Sequence, residues 1–271
     1  MNTDIICGIA EVSEIRMHYA SVTPENGGSG KTLVIIPGLS VKQVTPMVSA
    51  VAGHYKIFTE AGYRIFLFDR RINAPCGYSV QDMAADTAAV MNYLGIEKAD
   101  IFGASQGGMI ALCIAEQMPE MVDHLIVGSS AARYSEQSER IVKRWISLAE
   151  KRDEQALNMD VGKTVFSEKV WKEYGEGIMA GGAGITEEEY RRFIIMASAL
   201  PGIDLLADAG RIRCRTLVIG ASGDRIFPES FSKELAKAVN GELYLYGEEY
   251  GHGVYDEAPD YADRIFSFCE K

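Results

Sequence analysis

The chain has 271 residues, 47% of them hydrophobic and 24% charged, ordinary globular values that exclude whole-chain disorder and coiled coil. A chain of this size buries about 75% of its unfolded surface, so it needs no disulfide or metal staple. Lys and Arg number 27 against 38 Asp and Glu, a net charge of −11, which opposes a nucleic-acid backbone or an anionic membrane surface as partner. The five cysteines, Cys7, Cys76, Cys113, Cys214 and Cys269, are scattered and form no C-x-x-C; reduced thiols of a cytoplasmic protein suit them better than a disulfide framework. The N-terminal residues lack the basic start and apolar run of a signal peptide. The longest apolar stretches, about five residues, fall far short of the roughly 20 that a membrane helix needs. The expectation is a soluble, cytoplasmic protein acting on a small molecule, with no nucleic-acid or membrane partner and a homodimer left open.

In chain order, Ile5 to Ala10 and Ile15 to Ser21 alternate as strands and predict a hairpin across Glu11 to Glu14. A polar, Gly-rich turn follows from Thr23 to Lys31. Short apolar runs then recur: Leu33 to Ile36, Arg64 to Phe68, Ala99 to Phe102, Leu125 to Val127, Thr216 to Ile219 and Glu242 to Tyr246. The first five are continuously apolar at their centres, as strands buried on both faces of a parallel sheet are. Helical patterns lie between and after them, at Pro46 to Ala61, Val80 to Leu94, Gly107 to Met118, Ser230 to Asn240 and Pro259 to Phe268. The alternation implies an α/β fold with a doubly wound, mostly parallel sheet. Residues 132–209 break it: they hold no good strand and read as helices at Glu139 to Ala149, Ser167 to Met179 and Thr186 to Leu200, with a Gly-rich break at Ala180 to Gly184. They are expected to form a helical cap (lid) inserted in a core of residues 1–131 and 210–271.

Gly27-Gly28-Ser29-Gly30-Lys31-Thr32 imitates a phosphate-binding loop. The pattern G-x-x-x-x-G-K-[ST] requires glycine where Glu25 stands, and a strand rather than a helix follows. A solvated hairpin turn is the better reading.

The chemical signal is Gly103-Ala104-Ser105-Gln106-Gly107, the only G-x-S-x-G in the chain. It lies between a predicted strand and a predicted helix, the context of a sharp turn that exposes a serine. A serine hydroxyl needs a base to take its proton and an acid to orient that base. Among the four histidines, His18, His54, His124 and His252, only His252 follows a late strand and sits between glycines. It is the expected base. Asp224, in the loop after strand Thr216 to Ile219, is the expected acid; Asp204 and Asp208 precede that strand and fit worse. All three residues fall at strand C-terminal ends, where α/β sheets place their sites. An oxyanion hole needs two amides: Gln106, just after the serine, and Leu39, in Pro37-Gly38-Leu39-Ser40, are the candidates. Ser40 is a weaker candidate for substrate contact. No cofactor or metal motif is visible. Asp69-Arg70-Arg71 reads as a structural or surface charge cluster rather than a site.

This constellation resembles the α/β-hydrolase fold family over nearly the whole chain: the Pro37-Gly38 loop, Phe68-Asp69-Arg70, the Ser105 elbow, Asp224 and His252, with the helical insert at the family's lid position. Pro37-Gly38 stands for the family's usual His-Gly, and its usual Gly-x-Gly-x-Ser after Asp-x-Arg is absent. The resemblance implies a Ser105–His252–Asp224 serine hydrolase; the Ser elbow disfavours dehalogenase and epoxide hydrolase chemistry. Trp145, Phe166, Trp171, Tyr174, Met179, Tyr190, Phe193, Ile194 and Met196 of the cap are expected mostly to pack its helices, the remainder lining an apolar pocket. A small or medium hydrophobic ester is the expected substrate. The alternatives are a C–C bond hydrolase or acyltransferase with the same triad, and a low-turnover ligand receptor.

Overall fold

The computed structural model describes residues 3–25 and 27–271. Strands β1 (Thr3–Val12) and β2 (Ile15–Pro24) form the expected hairpin, joined at Ser13 and Glu14. The segment that follows is not a hairpin turn. Strand β3 (Thr32–Ile36) does not pair with β2; both flank the later strand β4 (Arg64–Arg71). The loop from β2 to β3 therefore crosses the start of β4, where the Ser29 amide donates to the Gly62 carbonyl at 2.7 Å. Lys31, the lysine of the apparent phosphate loop, is held by Glu270 at 2.6 Å.

The helical pattern after β3 is broken. A 3₁₀ turn at Thr45–Met47 leads into α1 (Val48–His54), and α2 (Lys56–Glu60) follows a break at Tyr55. The Tyr55 ring is buried there, 6.1 Å from that of Phe102. After β4, Ser79 and Asp82 form a capping box that starts α3 (Val80–Tyr93). Next come β5 (Ala99–Ala104), α4 (Gln106–Gln117) and β6 (Val122–Gly128).

Four helices are then inserted: α5 (Glu136–Glu150), α6 (Glu154–Val165), α7 (Glu168–Gly181) and α8 (Glu187–Ser198). The chain leaves and returns at one place, where the Leu205 amide donates to the Ala132 carbonyl at 2.7 Å. Short α9 (Leu206–Ala209), β7 (Arg215–Ala221), α10 (Glu229–Ala238), β8 (Glu242–Tyr246), α11 (Val254–Glu257) and α12 (Tyr261–Cys269) complete the fold. Among the described residues no helix is long and apolar enough to cross a membrane.

The sheet order is β1-β2-β4-β3-β5-β6-β7-β8, with β2 alone reversed. The continuous apolar runs serve two cores. Val34, Ile36, Phe66 and Phe68 belong to one buried cluster, and Leu33, Ile35, Ile65 and Leu67 to the other, on the opposite face. A period of two within an unbroken apolar run is what a two-sided sheet demands.

Helix α4 lies so close to the sheet that only glycine fits at its second residue. A Cβ on Gly107 would sit 1.9 Å from the Ile36 carbonyl oxygen. Gly107→Ala is expected to destabilise the protein by at least roughly 2 kcal/mol. Gly177→Ala, inside α7 with nothing within 4 Å, is expected to stabilise it by about 0.5–1 kcal/mol. Urea unfolding of both variants checks the contrast.

Candidate active site

Ser105 sits between β5 and α4 with φ 53° and ψ −120°, a left-handed backbone that costs a non-glycine residue on the order of 1–3 kcal/mol. Its surroundings impose that conformation. The Ser105 amide donates to the Gly128 carbonyl at 2.9 Å, and Ser130 Oγ donates to the Ser105 carbonyl at 2.7 Å. With α4 pressed on the loop after β3, the turn cannot relax, and the hydroxyl is presented outward.

The structure brings the three residues singled out in the sequence into one hydrogen-bonded row. Ser105 Oγ lies 2.9 Å from His252 Nε2, and His252 Nδ1 lies 2.8 Å from Asp224 Oδ2. His252 and Asp224 are 2% and 4% exposed, so the contact between them is shielded from water, while the serine side of the imidazole borders a cavity. The other Asp224 oxygen accepts from the amides of Ile226 and Phe227, at 2.7 and 2.9 Å. These bonds fix the carboxylate so that Oδ2 faces the imidazole. A carboxylate only accepts, so Nδ1 carries the hydrogen and the Nε2 lone pair faces the serine hydroxyl. Glycines beside His252 serve close packing: the Gly253 amide donates to the Val165 carbonyl at 2.8 Å, and a Cβ on Gly251 would meet that carbonyl at 2.8 Å.

The other candidates lie elsewhere. His18 is on β2 and His54 on α1. Asp204 accepts from the Leu206 amide, and Asp208 pairs with Arg211. His124 bonds Asp100 at 2.7 Å. Asp100, His124 and Cys269 set three possible metal-ligating atoms within 4.8 Å of one another. They come from β5, β6 and α12, so no local spacing announced them.

Gly38 adjoins the serine: a Cβ there would stand 3.2 Å from Ser105 Cβ. The Leu39 amide makes no hydrogen bond among the described residues, and Gln106, as the first residue of α4, lies ahead of the helix's own bonding ladder. The Gln106 side chain turns away and donates to the Met196 carbonyl at 2.8 Å. Ser40 Oγ donates to the Lys42 carbonyl.

The loop carrying Leu39 is braced from below. The Arg70 guanidinium donates to the Pro37 carbonyl, and Asp69 accepts from the Val44 amide at 3.1 Å. Asp69 also pairs with Arg192 of α8 at 2.9 Å, and Arg192 donates to the Val41 carbonyl. Asp69, Arg70 and Arg192 are all buried, so this cluster is structural and not on the surface. Burial pushes the Arg70 guanidinium down to about 10. Arg192 was missed in the sequence because its partner lies on a distant element.

A cavity of about 880 Å³ opens over Ser105 and His252. Trp145, Phe166, Tyr174 and Phe193 border it. Trp171 instead packs on Gly162, and Tyr190 lies beneath the Arg152 guanidinium.

The α/β hydrolase fold family matches residues 31–156. The AB hydrolase superfamily protein YisY of Bacillus subtilis is 30% identical over 67% of this chain and 69% of its own length. The chain belongs to the α/β hydrolase family. Two solved structures share the fold at 20% identity. MGS-M2, an α/β hydrolase from a Medee basin deep-sea metagenome library, has a TM-score of 0.83 over 97% of this chain and 98% of its own. The enol-lactonase from Burkholderia xenovorans LB400 has a TM-score of 0.80 over 97% and 100%.

Asp256, on α11 just after His252, is crowded by protein yet keeps accessible surface where it borders a second cavity. Burial, with the neighbouring Glu257 charge, pushes it from 3.8 up to about 6. A carboxyl raised on folding stabilises the fold in its protonated form, below its unfolded pKa, and loses that contribution as pH rises through about 6. Asp256→Asn is therefore expected to raise Tm relative to wild type more at pH 7.5 than at pH 4.5. Paired thermal melts at the two pH values check this.

Proposed function

We propose that this α/β hydrolase is a serine hydrolase that cleaves a small or medium, hydrophobic carboxylic ester or a related acyl bond through an acyl-enzyme. The observation that carries the reading is the continuous contact from Asp224 Oδ2 through His252 to Ser105 Oγ, at 2.8 and 2.9 Å. In this reading Ser105 Oγ attacks the carbonyl carbon while its proton passes to His252 Nε2. Asp224 keeps the ring oriented and stabilises the imidazolium. The Leu39 and Gln106 amides receive the oxyanion. Collapse of the intermediate breaks the bond to the leaving group, which takes the proton from His252. Water then attacks the Ser105 ester, His252 accepting its proton, and the acid departs with the serine restored.

The acyl chain occupies the cavity over Ser105, whose wall is largely apolar through Trp145, Phe166 and Phe193. Helices α5 to α8 act as its lid. Helix α8 reaches the oxyanion loop through Arg192 and Asp69, so lid position and loop geometry are coupled.

A fluorophosphonate probe is expected to add once to the wild type and not to Ser105→Ala, as read by intact mass. Turnover of ester substrates should fall at least roughly ten-thousand-fold in Ser105→Ala and Asp224→Asn, with Ser105→Ala melting no lower than wild type. An unlabelled, folded wild type would sink the reading. In an acyl-length series, medium apolar chains should outperform short charged acids; the reverse order would refute the apolar acyl pocket.

A further inference from the structure

A second cavity, of about 440 Å³, lies on the other side of the oxyanion loop. It shares Gly38, Leu39, Ser40, Met47 and Tyr255 with the cavity over Ser105. Ala104, the residue before the serine, also borders it. Both spaces therefore border the loop that Gly38 places against Ser105, and a carbonyl attacked from the first can direct one substituent past that loop toward the second.

The second space has its own chemistry. No lysine or arginine borders it among the described residues. Its charged side chain, Asp256, is acidic. The Asp256 carboxylate has neither an ion pair nor a side-chain hydrogen bond among the described residues. His54, which burial holds toward its neutral form, also borders the cavity, and its Nε2 is buried without a partner. The aromatic residues Tyr55 and Tyr255 complete the wall, both close enough to Asp256 to feel its charge. An anion that borders a cavity beside aromatic rings is an environment an organic ammonium favours. The net charge of −11 favours the approach of such a ligand. The first cavity differs: its lysine, Lys42, is already committed to Glu189 and the Gly184 carbonyl.

We infer that this second cavity is the leaving-group subsite and that Asp256, with Tyr55 and Tyr255, holds a cationic group there, so that the preferred substrates are esters of ammonium-bearing alcohols. The inference rests on the acyl-enzyme reading above. The alcohol leaves with the proton from His252 while its ammonium stays at Asp256, and no further reactant is consumed.

Two measurements test it. The first is calorimetric titration of choline and of its uncharged isostere, 3,3-dimethylbutan-1-ol, into wild type and Asp256→Asn. Choline should bind the wild type at least about tenfold more tightly than the isostere, and Asp256→Asn should remove that difference. The second is the ratio of kcat/KM for butyrylcholine to that for 3,3-dimethylbutyl butyrate, expected to be about ten or more in wild type and to fall toward one in Asp256→Asn. Failure of folded wild type to distinguish choline from the isostere would overturn the subsite, as would equal discrimination by Asp256→Asn. The titration needs no turnover. If choline binds through Asp256 while the fluorophosphonate fails to label Ser105, the cation site stands and the hydrolytic reading falls. If the probe labels Ser105 and both esters react at one rate, the reverse holds.

Discussion

The near contact between helix α4 and the loop after β3 is the constraint on which the site depends. A hydrogen atom is all that fits between Gly107 and the Ile36 carbonyl. That approach lets the backbone at Ser105 hold φ 53°, since the turn between β5 and α4 has no room to straighten. One packing event thereby sets two features. It sets the turn that carries the serine, and it brings the Gly38 loop against the serine. The strain is small beside the burial of the two-sided sheet, so the fold sustains it.

Three strand ends then converge because the sheet is parallel. β5, β7 and β8 all point the same way, so the residues after each gather along one edge. Asp224 comes prearranged: two backbone amides fill one carboxylate oxygen and leave the other for His252. Beside this row a second buried charge system, Asp69 with Arg70 and Arg192, carries the loop of Gly38 and Leu39. A buried ion pair costs much to desolvate and adds little net stability; what it supplies here is position. Its bonds run from β4 to the loop and from the loop to α8, across more than a hundred residues of chain.

This arrangement accounts for which parts were legible in the sequence. The strands were, because a short, unbroken apolar run between turn residues suits a strand buried on two faces and little else. Ser105, Asp224 and His252 were, because each falls at a strand end beside small residues. What failed was information held between distant segments. The loop at residues 25–31 looks like a hairpin turn until β4 is seen to lie between β2 and β3. Helix α6 was passed over because Asn158, Asp160, Gly162 and Lys163 dilute its signal, although Leu157, Val161 and Val165 repeat every four residues after the N-cap Asp153. The break at Tyr55 reflects burial against Phe102, which no local propensity encodes. Arg192 is structural only through its partner Asp69, 123 residues away.

Two cavities border the Gly38 loop, and Ser105 itself lines the one under the inserted helices. The loop of Gly38 and Leu39 approaches Ser105 closely, and it forms a wall of both spaces. One side falls under the inserted helices and inherits their apolar faces. The other falls between α1 and α11, where the chain has just turned after His252 and carries Asp256. The two sides are thus lined by different elements: the first largely by the inserted helices, the second by α1 and the segment that follows His252. Neither side is independent of the loop between them: α8 reaches it through Arg192, Asp69 and the Val41 carbonyl, and α11 follows directly on the segment that holds His252.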